Sequence, residues 1–194
     1  SFLSTDGAYR LQLDKNELTH PILKGNITSI YQDSEGELWI GSWEEGLHHV
    51  KTDGTIEIFE YDAKNPYSIS SNFVRACCED NLGNIWIGTF NGLNRYDKST
   101  GLFQNHTASD AQSDGLTHSS IWCIVKDNQG TLWLGTYFGG VNYFNPEYEI
   151  YSRYMYSPIE KKGLSNPVVG RTIEDKDGNL WIGTEGGGLN YYNR

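Results

Sequence analysis

Glu37-Leu-Trp-Ile-Gly-Ser42 returns as Asn84-Ile-Trp-Ile-Gly-Thr89, as Thr131-Leu-Trp-Leu-Gly-Thr136 and as Asn179-Leu-Trp-Ile-Gly-Thr184. The central tryptophans, Trp39, Trp86, Trp133 and Trp181, are spaced by 47, 47 and 48 residues. A period this constant marks a repeat architecture. Leu38, Trp39 and Ile40 are consecutive and apolar, and strand side chains alternate between faces, so the phrase reads as a strand buried on both sides. Isolated small sheets would leave one of those faces in water, at about 25 cal/mol per Å² of apolar surface.

Working outward, each phrase has the same surroundings. Ahead of it stands a turn closed by glycine: Asp33-Ser-Glu-Gly36, Asp80-Asn-Leu-Gly83, Asp127-Asn-Gln-Gly130 and Asp175-Lys-Asp-Gly178. Asp bonds its own backbone in such turns and Gly supplies the positive φ, which makes a tight hairpin. Ahead of the turn lies a β-prone run: Ile27 to Tyr31, Phe73 to Cys78, Ile121 to Val125 and Val168 to Ile173. Behind the phrase, a glycine-bearing loop leads to a third strand beginning at Gly46, Gly92, Gly140 or Gly188. A less regular fourth strand follows, as at Thr55 to Tyr61, Leu102 to His106 or Tyr148 to Tyr154. Four-stranded units at this period, apolar on both faces, describe an all-β chain of blades packed around an axis, a β-propeller. The glycine after each Trp-Ile pair lets neighbouring blades approach closely.

The expected division is a blade tail at 1–24, blades at 25–70, 71–117 and 118–164, and an incomplete blade at 165–194. The start is expected to supply a third and a fourth strand and the finish a first, second and third. One strand is then surplus to a closed ring, so the chain reads as an arc of about four blades excised from a larger propeller. An arc exposes sheet edges and a blade face. Self-association through them is expected, two copies closing a ring of about eight blades.

Composition agrees. There are 22 glycines, 13 tyrosines and 37% hydrophobic residues among 194, and helical periodicity is lacking. The net charge of −10 repels phosphate backbones and anionic lipid, which argues against nucleic acid and membrane-surface partners. No apolar run is long enough to span a membrane. The expected membrane link is through parts of a parent protein outside this chain. Cys77, Cys78 and Cys123 form no disulfide framework and read as small buried hydrophobes.

The second repeat, Asn72-x-Val74-x-x-Cys77-x-Glu79-Asp80-x-x-Gly83-x-Ile85-Trp86-Ile87-Gly88-Thr89-x-x-Gly92-Leu93-x-x-Tyr96, resembles the two-component regulator propeller repeat. The fourth copy is similar, from Glu174-Asp to Gly187-Gly-Leu-x-x-Tyr192, while Gln32-Asp33 and Lys126-Asp127 depart from the Glu-Asp pair. The resemblance implies the periplasmic sensor region of an inner-membrane hybrid histidine kinase. Such a region detects a carbohydrate-derived ligand and relays it to a cytoplasmic phosphorelay that regulates transcription. The alternative is a non-catalytic scaffold for protein interaction or receptor dimerisation.

Strand alternation puts the loops between second and third strands on one face of the propeller, with the loops that enter the first strand. There the copies differ: Trp43-Glu44-Glu45, Phe90-Asn91, Tyr137-Phe138 and Glu185-Gly186. Matched positions on the innermost strand are Thr28, Arg75, Trp122 and Gly170. Rings beside carboxylates and amides suit an oligosaccharide, rings packing on C–H groups and polar groups bonding hydroxyls. The candidate ligand residues are Trp43, Glu44, Arg75, Phe90, Asn91, Trp122, Tyr137, Phe138 and Glu185. No cofactor is expected. His48 and His49 point apart on one strand and share no metal easily. The Asp175 hairpin lacks the ligands of a full calcium loop. Glu44, Glu45 and Glu185 are the carboxylates a glycosidase reading would need, but no catalytic motif accompanies them, and the chain is expected not to be an enzyme.

Overall fold

The computed structural model describes residues 2–4, 7–9, 11–12, 17–18, 23–108, 115–146, 151–157 and 163–193. All of its regular structure is β. The first residues form β1 (Phe2–Ser4), β2 (Gly7–Tyr9), β3 (Leu11–Gln12), β4 (Glu17–Leu18) and β5 (Leu23–Lys24). β1, β2 and β5 join in one sheet, and β3 pairs with β4. The start therefore supplies three strands to a sheet rather than two, because Phe2–Ser4 pairs antiparallel with Gly7–Tyr9. Three four-stranded antiparallel meanders follow. The first is β6 (Ile27–Gln32), β7 (Leu38–Ser42), β8 (Leu47–Val50) and β9 (Ile56–Phe59). The second is β10 (Val74–Glu79), β11 (Ile85–Thr89), β12 (Gly92–Asp97) and β13 (Leu102–His106). The third is β14 (Ile121–Lys126), β15 (Leu132–Thr136), β16 (Val141–Phe144) and β17 (Tyr151–Tyr154). Residues 148–150, expected to open that last strand, lie outside the described residues. The chain closes on β18 (Val169–Glu174), β19 (Leu180–Thr184) and β20 (Gly188–Tyr192).

Each hairpin is built by its aspartate. Asp80 Oδ1 accepts the amides of Leu82 and Asn84, both at 2.9 Å, while Oδ2 accepts the indole N–H of Trp86 at 2.8 Å. The indole bond recurs from Trp39 to Asp33 (2.9 Å), Trp133 to Asp127 (2.6 Å) and Trp181 to Asp175 (3.1 Å). One carboxylate thus shapes the turn and satisfies the single polar atom of the ring beside it. Buried polar groups demand such a partner. The turn glycine, as at Gly83 with φ +82°, sits where L side chains are strained.

Blades stack through their central strands. Trp39 packs with Val74, Ile87 and Tyr96; Trp86 with Ile121, Leu134 and Phe144; Trp133 with Val169 and Ile182. In the first three phrases the glycine is a point of close approach between blades. A Cβ on Gly41 would fall 2.7 Å from Val74, one on Gly88 2.7 Å from Ile121, and one on Gly135 2.6 Å from Val169. A second link comes from the residue before the turn aspartate. Glu79 accepts the backbone amide and the hydroxyl of Ser34 in the preceding blade, both at 2.8 Å, and Glu174 accepts the amide of Asn128 at 3.0 Å. Lys98 joins the first of these, 3.0 Å from Asp33 and Glu35.

Trp181 departs from expectation. Trp39, Trp86 and Trp133 are at most 2% exposed, but Trp181 is 36% exposed, with Ile173 at 62% and Leu189 at 64% beside it. The expectation of four equally wedged indoles therefore holds for three. Trp181 keeps its hairpin bond, but no described sheet covers its outer side. The molecule is an open propeller arc, and this is its bare face. The three cysteines are buried as expected. Burial pushes the Cys77 thiol up to about 12 and the Cys78 thiol up to about 11, so both stay protonated at neutral pH.

His48 breaks the repeat. Register places it opposite Ile40, where the next blades put Asn94 opposite Ile87 and Asn142 opposite Leu134. Those asparagines accept the amides of Ser70 (2.8 Å) and Thr117 (3.0 Å), tying each third strand to the loop that enters its blade. His48 is 3% exposed and its Nδ1 has no partner. Burial lowers its pKa against the opposing pull of Glu45 and Glu60. The folded form therefore binds this proton less well than the unfolded chain, so stability is lost as pH falls below about 6.5, the ordinary histidine value. The thermal midpoint is expected to drop between about pH 7.5 and about pH 5.5, and the drop to shrink in His48→Asn. Calorimetric melts at the two pH values check this.

Candidate ligand-binding face

The face opposite the aspartate hairpins is shaped by a bulge repeated in each blade. Ile27 pairs with Ser42 and Ser29 with Gly41, leaving Thr28 without a ladder partner. The same slip leaves out Arg75 between Val74 and Ala76, Trp122 between Ile121 and Cys123, and Gly170 between Val169 and Arg171. A bulge re-aims the side chain it carries. The four matched positions read from the sequence are these four bulge residues. Just beyond the bulge, one backbone bond ties each variable loop to the strand entry: Trp43 N–H to Asn26 O (2.9 Å), Phe90 to Phe73 (3.0 Å), Tyr137 to Ser120 (3.0 Å) and Glu185 to Val168 (3.0 Å). The first residue of every loop is thus held beside the innermost strand of its own blade.

On this frame the rings of three blades meet. Trp43 stands edge-on to Phe73, centroids 5.5 Å apart, and Phe73 is 6.0 Å from Phe90. The Arg75 guanidinium carbon lies 5.6 Å from the Trp43 centroid, 5.4 Å from Phe90 and 4.3 Å from Trp122. Trp122 stacks on Tyr137 at 5.5 Å and 10°, and Tyr137 meets Phe138 at 4.3 Å. His118 closes the row, 6.5 Å from Tyr137 and 6.3 Å from Phe138. Arg75 also donates from Nη1 to Ser120 Oγ at 3.2 Å. Trp43, Phe90 and Phe138 are 41%, 54% and 55% exposed, so the row offers ring surface to solvent.

Of the residues expected at a site, Trp43, Arg75, Phe90, Trp122, Tyr137 and Phe138 are brought together. Glu44 and Asn91 are exposed on the same loops and take no part in the ring contacts; the Asn91 amide bonds Thr89 Oγ1 at 3.1 Å. Glu185 is exposed on the last blade, whose bulge position is Gly170 and bears no side chain. Phe73, His118 and Ser120 belong to the face and were not named from the sequence. Their signal was position: all three lie in loops entering a first strand.

The opposite end is occupied by its own ion pairs. Asp33, Glu35 and Glu37 carboxylates cluster within 4.8 Å of one another. Lys98 bonds the first two, and His49 meets Glu37 at 2.6 Å. That cluster carries its own counter-charges and reads as structural.

An open arc of antiparallel blades, each bulged at its inner rim, is a segment of a β-propeller. The chain belongs to the two-component regulator propeller repeat family, whose model matches residues 21–44, 68–91, 115–138 and 163–186. Among solved structures it is similar to the extracellular domain of a hybrid two-component system from B. thetaiotaomicron, with 26% identity and a TM-score of 0.77 over 97% of this chain. A second such domain from B. thetaiotaomicron is 23% identical, with a TM-score of 0.76 over 98% of the chain. The chain spans 24% and 25% of those two structures. Virginiamycin B lyase from Staphylococcus aureus shares the fold alone, at 14% identity and a TM-score of 0.66, over 95% of this chain and 62% of the lyase. No curated protein matches the chain.

Proposed function

We propose that this chain is a non-catalytic segment of the extracytoplasmic sensor region of a hybrid two-component histidine kinase. In this reading it lies on the periplasmic side of the inner membrane, takes a carbohydrate-derived ligand on the ring-lined face, and relays its presence to a cytoplasmic kinase. The resemblance to two extracellular sensor domains supports the setting. One observation carries the ligand class: the row from Trp43 to Phe138 places rings beside the Ser120 hydroxyl and the Arg75 guanidinium. A sugar is amphipathic in the same way, with C–H patches between hydroxyls, and packs its patches on rings while bonding at the edges. The blade-to-blade variation of the rim gives the asymmetry that one oriented ligand needs.

Trp43→Ala and Tyr137→Ala are expected to weaken binding of a cognate oligosaccharide about tenfold each, or about 1.4 kcal/mol. Titration calorimetry against an oligosaccharide panel checks this, and unchanged affinity in both variants would end the ring-face reading. Incubated oligosaccharide should be recovered intact by mass spectrometry.

The bare apolar face at Ile173, Trp181 and Leu189 favours a second reading, a scaffold that docks through that face. A scaffold binds no sugar, so the same titration separates the two.

A further inference from the structure

Arg75 is the one cation in the ring row, and its surroundings are unlike those of the part-buried lysines Lys98 and Lys51. Lys98 pairs with Asp33, Glu35 and Glu79, and Lys51 with Glu57. Among the described residues no carboxylate pairs with Arg75, and Glu44 and Glu45 on the adjoining loop make no ion pair with it. A guanidinium carries five N–H donors. Here one hydrogen bond is made, to the Ser120 hydroxyl. The group is half-buried among Trp43, Phe90 and Trp122. Burial lowers its pKa, with Tyr137 the other influence and no carboxylate among the causes. A charge taken out of water needs a partner of opposite sign or accepts a desolvation cost. Cation–π contact recovers part of that cost and fixes the guanidinium in place, but leaves its in-plane donors other than the one on Ser120 unused.

We infer that Arg75 is the binding point for an anionic substituent, a carboxylate or a sulfate ester, carried by the sugar that lies on the ring row. This rests on the carbohydrate reading above and narrows it to acidic oligosaccharides. A guanidinium held between rings presents parallel N–H bonds that fit a carboxylate or sulfate edge. The rest of the molecule sharpens the choice. With a net charge of −10 the surface repels anions in general, so an acidic ligand is held only where a cation is placed for it.

The test is titration calorimetry with three probes: a disaccharide ending in glucuronate, its carboxyl-reduced neutral counterpart, and that neutral disaccharide bearing a 6-sulfate. The expected result is that at least one acidic probe binds tenfold or more tighter than the neutral one. Which acidic probe wins identifies the group. The preference should weaken with added salt, be lost in Arg75→Gln and survive in part in Arg75→Lys. The wild-type probe comparison and its salt dependence need no variant, so they stand even where Arg75→Gln folds poorly. A neutral probe bound as tightly as both acidic ones overturns the anion while leaving the sugar reading. So does a preference for acid that persists in folded Arg75→Gln. Arg75-dependent binding of free glutarate or inorganic sulfate, with no disaccharide bound, overturns the sugar reading and leaves the anion. Failure of every probe overturns both.

Discussion

Trp86→Ala is expected to destabilise the fold by about 3–5 kcal/mol, and Trp181→Ala by roughly half that or less. The two residues occupy the same place in the repeat, each donating to its hairpin aspartate. They differ in what lies outside. Trp86 is 2% exposed and packed against Phe144 at 5.0 Å and His106 at 5.7 Å. Its removal leaves a cavity between two blades, lined by residues of both, which cannot collapse without shifting a whole sheet. Trp181 has one packed side and one bare side, so its loss opens a groove that water fills. Urea unfolding midpoints of the two variants measure the difference. Equal costs would mean that the last sheet is covered, which contradicts an open arc.

The second large effect is steric. Gly135→Ala is expected to cost about 1–3 kcal/mol, the range for overpacking a tight core, and Gly183→Ala to change little. A methyl on Gly135 would sit 2.6 Å from both Cys123 Sγ and Val169 Cγ1, closer than real Cβ atoms come. The same methyl on Gly183 meets nothing nearer than the Arg171 carbonyl oxygen at 3.5 Å, an ordinary contact. Neither glycine has a positive φ, so backbone strain does not enter and the difference reports the groups packed over Gly135, Val169 of the next blade and Cys123 on the neighbouring strand. Val169→Ala should restore part of the Gly135→Ala loss, since it removes one of the two obstructing groups. Thermal midpoints of the single and double variants check both statements; additive losses would place the clash elsewhere.

What could be read from the residues was what is local. Asp-x-x-Gly, the doubly apolar Leu38-Trp39-Ile40 and the 47-residue spacing specify turn, buried strand and repeat within a few residues of one another. The bond from Trp86 to Asp80 is equally local, six residues apart, yet an unvaried pair carries no mark of contact. The bulges at Thr28, Arg75, Trp122 and Gly170 were visible only as matched positions, because register is a property of two strands. The rim itself joins Trp43, Arg75 and Trp122 from three repeats, 32 and 47 residues apart along the chain. Only packing reveals that they meet, and that Phe73 and His118 join them. The exposure of Trp181 was illegible for a related reason: identical phrases differ when their neighbours do.

The slipped residue on each inner strand has no register partner on the strand beside it. Its identity does not set the strand register, since Thr28, Arg75, Trp122 and Gly170 all occupy the same slip, so variation can rewrite those positions while the wheel beneath keeps its pairing. Related chains with the same scaffold are thereby free to diverge in what they recognise, through a handful of substitutions at the rim.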